Sequence, residues 1–117
     1  MSRYLLTPIA LTLTSLDNNT TLSLALGTTS IVNVVVPSGG LTLLGMLAIG
    51  GNVDGCVVVF SNVGTVAANL AFANESGSAA AGNRFRTPYS YSLTQYNAVW
   101  FRYSTAALRW QQIGAIS

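Results

Sequence analysis

Apolar and polar residues alternate along most of this chain. Ile9, Leu11 and Leu13 alternate with Ala10, Thr12 and Thr14, and Leu22, Leu24 and Leu26 alternate with Thr21, Ser23 and Ala25. A period of two sends successive side chains to opposite faces of a strand, so both segments predict half-buried β-strands, with Asp17-Asn18-Asn19 as the turn between them. Ser30 to Val36 is β-branched and stops at Pro37-Ser38-Gly39-Gly40, and Leu41 to Ile49 runs apolar to Gly50-Gly51-Asn52. Val57-Val58-Val59-Phe60 is a short continuous run of the kind buried on both faces, closed by Ser61-Asn62-Val63-Gly64. A further strand is predicted at Ala68 to Ala73.

Asn74 to Pro88 is rich in Ser, Ala, Gly and Asn and reads as a long loop, in which Gly77 and Gly82 confine Ala79-Ala80-Ala81 to one helical turn at most. Strands follow around Tyr89 to Leu93, at Ala98 to Tyr103 and at Leu108 to Ile113, the last two joined by a turn at Ser104-Thr105-Ala106. Short strands punctuated by turns, with no segment of helical period, predict an all-β fold. The expectation is a single antiparallel β-sandwich or jelly-roll-like domain over residues 1–117. Within it residues 1–8 read as an interacting N-terminal arm, since Pro8 resists a central strand and suits the end of an arm. Its exposed candidates are Arg3, Tyr4 and Leu5.

Composition changes the picture from fold to setting. The 117 residues are 50% hydrophobic and 7% charged, against about 25% charged in an ordinary soluble domain. No apolar run approaches the roughly 20 residues of a membrane span, and Thr7, Pro8, Thr12 and Thr14 break the continuous core of a signal peptide. No membrane partner is therefore expected. The remaining explanation is a surface covered by protein, in a homo-oligomer or a larger lattice. Five arginines and no lysine stand against Asp17, Asp54 and Glu75 for a net charge of +2, a field too weak for nucleic-acid binding. The guanidinium is the cation that subunit interfaces favour.

Catalytic constellations are excluded mostly by absence. Without histidine there is neither a Ser-His-Asp nor a Cys-His arrangement, nor a histidine metal ligand. Cys56, the only cysteine, sits in an apolar strand beside no base and reads as a buried inert thiol. Asp17, Asp54 and Glu75 lie in separate predicted turns, which serves a glycosidase pair poorly, and Asp54 after Gly50-Gly51-Asn52 reads as turn chemistry rather than a calcium ligand. No phosphate loop is present, and the Asn-x-Ser/Thr matches at Asn18, Asn19 and Asn74 read as polar turns. No catalytic, metal-binding or cofactor-binding residue is assigned.

The last third differs in kind. Eight of eleven aromatic residues lie from Phe85 onward, and Arg84, Arg86, Arg102 and Arg109 share or border that stretch. On the predicted final hairpin, Trp100 and Arg102 face opposite to Val99, Phe101 and Tyr103. The face without the core residues reads as a contact surface, with Arg84, Arg86, Tyr89, Trp100 and Arg102 as interface candidates. Asn83-Arg84-Phe85 reads as a lock on the long loop: Phe85 plugs the core edge, Arg84 reaches loop carbonyls or Glu75, and Asn83 takes a turn conformation.

The succession Gly55-Cys56-Val57-Val58-Val59-Phe60-Ser61-Asn62-Val63-Gly64, Asn69 to Ser76, Ala80-Ala81-Gly82-Asn83-Arg84-Phe85 and Arg109-Trp110 before Gly114 is similar to a β-module of tailed-phage virion proteins. Such modules occur in head decoration proteins, head fibres and tail fibres, and the similarity spans residues 40–114. It departs where the family has an acidic turn after an aromatic strand, since Tyr103 is followed by Ser104-Thr105-Ala106. The resemblance implies a capsid decoration or cement protein, bound to the major capsid protein on the outer surface of the virion. Such proteins act in many copies, often as homotrimers, and stabilise the shell without chemistry. Alternatives are a receptor- or glycan-binding module of a tail or head fibre and, from another class, a small glycan-cleaving enzyme. A fibre carries a shaft or anchoring segment ahead of its tip, for which 117 residues leave no room.

Overall fold

The fold is all-β, and its strands arise where the alternating pattern is strongest. In the computed structural model, which describes residues 7–88 and 90–116, they are β1 (Ile9–Thr12), β2 (Thr20–Leu24), β3 (Thr29–Val35), β4 (Leu41–Ala48), β5 (Val57–Asn62), β6 (Leu70–Phe72), β7 (Phe85–Arg86), β8 (Tyr91–Leu93), β9 (Ala98–Ser104) and β10 (Arg109–Ile116). Arg3, Tyr4, Leu5 and Tyr89, and with them most of the expected arm, lie outside the described residues. Along β3 and β5 every second residue is buried, so Val32, Val34, Val58 and Phe60 point inward.

The topology corrects the expected antiparallel sandwich or jelly roll. Six strands form one sheet in the order β1-β3-β5-β9-β10-β7, and four form the other in the order β2-β4-β6-β8. From β1 to β6 the chain crosses to the opposite sheet at every turn, and each of β1 to β4 pairs in parallel with the strand two places on. Ile9 lies against Val32 and Val32 against Phe60, while Leu22 lies against Met46 and Leu41 against Leu70. This is a short two-sheet β-solenoid, closed by antiparallel strands: β8 on β6, β9 on β5 and β10 on β9. Alternation specifies which face a side chain takes, and it is the same for a parallel coil as for a hairpin. The corners decide. Pro37 to Gly40, which would suit a hairpin, instead carries the chain across the core from β3 to β4.

The sheets meet on an aromatic centre contributed by elements far apart in sequence. The Phe72 ring lies 5.2 Å from Phe60, 5.1 Å from Phe85 and 5.0 Å from Phe101, and Phe85 lies 4.9 Å from Phe101. These spacings are those of offset and edge-on aromatic pairs. Trp110 stacks edge-on to Tyr103 and donates its indole N–H to the Met46 carbonyl at 2.9 Å, which satisfies the polar atom of a wholly buried side chain. Asn62, also buried, donates to the Ala68 and Leu93 carbonyls and accepts from Gly64 N–H, binding the corner after β5 to β8.

The stretch expected as one long loop has structure of its own. Ala81–Asn83 forms a 3₁₀ turn, and β7 pairs in parallel with β10, Phe85 against Trp110. A bulge between Thr20 and Thr21 on β2 and the facing residues of β4 changes which side of the sheet β4 presents. Gly45 thereby lies under the loop: a Cβ there would stand 2.5 Å from the Asn83 carbonyl oxygen. Only glycine permits so close an approach of two backbones.

Candidate interaction surface

The outer face of the six-stranded sheet follows from the registers. Ile31, Val59 and Trp100 form one row across β3, β5 and β9, and the row continues to Gly114 on β10. The Trp100 indole lies over Gly114, whose Cβ position is 3.5 Å from the ring. A second row runs Thr29, Val57, Arg102, Gln111 and Arg86 across five strands. Their neighbours in sequence, Val58, Val99, Phe101 and Trp110, are buried on the opposite side. The face thus sets an apolar row with one tryptophan beside a polar row with two arginines, the mixture typical of protein contact surfaces.

The arginines divide into different tasks. Arg102 is exposed and makes no side-chain hydrogen bond or ion pair among the described residues. Arg84, expected to reach a loop carbonyl or Glu75, donates to the Ala79 carbonyl at 3.1 Å. Glu75 is held instead by Arg86 Nε at 2.8 Å and Arg109 Nε at 2.6 Å, and Arg109 Nη1 also donates to the Ala81 and Leu108 carbonyls. The Arg86 hydrogen bond, reinforced by Arg109 and opposed by partial desolvation, keeps the Glu75 carboxyl below the usual glutamate range. Glu75 has φ 52°, a left-handed conformation that a non-glycine residue adopts at a cost, and its N–H donates to the Phe85 carbonyl at 2.9 Å.

Asn83 and Phe85 hold the loop from two sides. Phe85 is wholly buried in the aromatic centre. The Asn83 side-chain oxygen accepts from Asn52 Nδ2 at 3.0 Å, and the same amide group donates to the Gly82 carbonyl while Asn52 Oδ1 accepts from Ala48 N–H. Tyr103 Oη donates to the Gly82 carbonyl at 2.8 Å. The sequence marks Asn52 only as a turn residue after two glycines; nothing in its neighbourhood signals a partner thirty residues away.

Cys56 lines a cavity of about 350 Å³ at one corner of the solenoid, with Leu26, Ala48, Val53 and Asp54 among the other lining residues. Its thiol donates to the Gly27 carbonyl at 3.1 Å, and burial pushes its pKa up, so it remains a neutral thiol rather than a nucleophile at neutral pH. The three carboxylates serve three separate turns. Asp17 accepts from Thr14 N–H, Asp54 from Thr105 N–H, and Glu75 from the two arginines. Among the described residues no three acidic or sulfur groups gather where they would hold a metal ion, and no helix is long and apolar enough to cross a membrane. Comparison of the chain with protein-family models, with curated proteins and with solved structures finds no match, so its functional reading rests on its own geometry and residues.

Proposed function

We propose that this protein is a structural component of a virion, a decoration or cement protein that binds the outer capsid surface through the exposed face of its six-stranded sheet. The observation that carries the proposal is the pairing on that face of the Ile31, Val59 and Trp100 row with Arg102, a cation left without a partner among the described residues. A chain with 7% charged residues gains solubility and stability by covering such a face. The residues that resemble phage virion modules point the same way, and several of them build the scaffold behind the face. Asn62 ties the corner after β5, Glu75 orders the loop, and Phe85 and Trp110 fill the core. The role asks no chemistry of the chain.

The parallel coils of β1 to β6 favour a second reading, a module of a head or tail fibre, because stacked coils are how elongated β-shafts are built. Purified protein added to expanded, undecorated capsids distinguishes the two. A decoration protein saturates the shell at many copies, and Trp100→Ala with Arg102→Ala weakens attachment at least tenfold while leaving the melting transition in place. Few copies per virion, together with binding to cells or glycans and none to shells, would overturn the capsid role in favour of the fibre.

A further inference from the structure

We infer that two copies of this chain join head to head at the first coil of the solenoid, the edge of β1 against β1 and the edge of β2 against β2, across a two-fold axis perpendicular to the sheets. Both sheets end at this coil: β1 is the outermost strand of the large sheet and β2 of the small one. Leu13 N–H donates to the Val35 carbonyl and Ile49 N–H to the Leu24 carbonyl. The alternation of a parallel ladder then turns the N–H and C=O groups of Ala10 and Thr12 on β1, and of Thr21 and Ser23 on β2, away from the sheet. Rows of backbone groups that meet no strand among the described residues attract another strand, and proteins blunt such rows with lysine, proline, inward charge or a covering segment.

Neither strand carries a charge or a proline, the nearest proline being Pro8 just ahead of β1, and all four outward-turned residues are small and exposed. Between residues 7 and 53 the only ionised side chain at neutral pH is Asp17, whose carboxylate is occupied by Thr14. The opposite end is different: β7 spans two residues, one of them Arg86, and β8 spans three. The core shows the same asymmetry. Val32, Val34, Leu43 and Met46 of the second coil are wholly buried, whereas in the first Leu22 and Leu24 keep 8% exposure and Ile9 and Leu11 are only half-buried.

Two edges must be covered at once, and that selects the occupant. A second copy supplies both strands in one body. The two-fold axis keeps inner faces with inner faces, so Ile9 and Leu11 of each copy complete a shared core. It also brings each edge onto its own image, an arrangement that like charges would forbid and that these neutral edges permit. The pairing stands independently of the proposed capsid role.

Sedimentation velocity at micromolar concentration, without capsids, tests it. The full chain is expected at twice its 12.2 kDa, and the Thr12→Lys, Ser23→Lys double variant at the monomer mass with cooperative melting retained. Hydrogen exchange on the unmodified protein provides a second measurement that needs no variant: the amides of Ala10, Thr12, Thr21 and Ser23 are expected to be protected together. A monomeric full chain, rapid exchange at these four amides, or an oligomer that survives both lysines would overturn the inference. A full chain that is monomeric but dimerises once residues 2–6 are deleted would overturn it too, by identifying the chain's own N-terminal segment as the cover.

Discussion

Gly45→Ala adds one methyl group where β4 passes beneath the loop leading to β7. The new Cβ would stand 2.5 Å from the Asn83 carbonyl oxygen and 3.1 Å from both the Asn83 carbonyl carbon and the Ala79 Cβ. These are backbone atoms and a methyl, so no side-chain rotation relieves the clash. Ordinary contact begins near 3.4 Å, and the loop must retreat by about 0.9 Å, an overpacking that costs about 1–3 kcal/mol. Retreat also stretches the Asn52 bonds to Gly82 and Asn83 and the Tyr103 bond to Gly82, each with a net value of about 0.5–1.5 kcal/mol. Alanine returns about 0.4–1 kcal/mol by restricting the unfolded chain. Partial relaxation of the loop leaves a net loss of about 2–3 kcal/mol, or roughly 10 °C in Tm for a domain of this length. Gly77 is the control, because no atom lies within 4 Å of its Cβ position. Urea denaturation should show Gly77→Ala unchanged or more stable by up to about 1 kcal/mol, with Gly45→Ala lower at an unchanged m value. Equal midpoints for the two variants would refute the close-approach argument.

Phe85→Ala should destabilise the protein by about 3–5 kcal/mol, the range for a wholly buried aromatic, whereas Arg84→Ala removes one carbonyl hydrogen bond and should lose about 0.5–1.5 kcal/mol; equal, negligible effects in thermal melts would remove the pair from the account of the loop. Cys56 should resist a thiol reagent in the native protein and react fully after denaturation, and fast native labelling would contradict its burial. Because the folded protein depresses the Glu75 pKa, its contribution is complete above the usual glutamate value of about 4.3 and is lost as pH falls through the lower folded value. Glu75→Gln should therefore flatten the acid side of a plot of urea midpoint against pH, and an unchanged acid limb would show that the two arginines contribute nothing there.

The period-two pattern located most strands, and on β9 Val99, Phe101 and Tyr103 are buried while Trp100 and Arg102 face out. The run Val57-Val58-Val59-Phe60, expected to be buried on both faces, instead buries Val58 and Phe60 and leaves Val57 and Val59 partly exposed, because no second layer covers the outer face of the sheet among the described residues. The final hairpin, expected to turn at Ser104-Thr105-Ala106 and turning at Thr105 to Leu108, was equally legible, because residues close in the chain build it. The direction and partner of each earlier strand were not. A segment such as Ile9 to Thr12 has the same alternation whether it joins a hairpin or a parallel coil, and its partner β3 is chosen by a corner that crosses the core and by apolar contacts between distant segments. The candidate surface divides in the same way. Aromatic and arginine enrichment after Phe85 marked a region of interest, yet it did not show that Arg86 and Arg109 would share Glu75 while Arg102 stood apart. The short strand β7, the Asn52 to Asn83 bond and the approach over Gly45 left no local signal, since each depends on loops from separate coils arriving at one place. Local chemistry by itself determined where most strands lie and, along the alternating ones, which side chains they bury. Tertiary packing decided which strands meet, because the free energy of that choice lies in contacts between residues far apart along the chain.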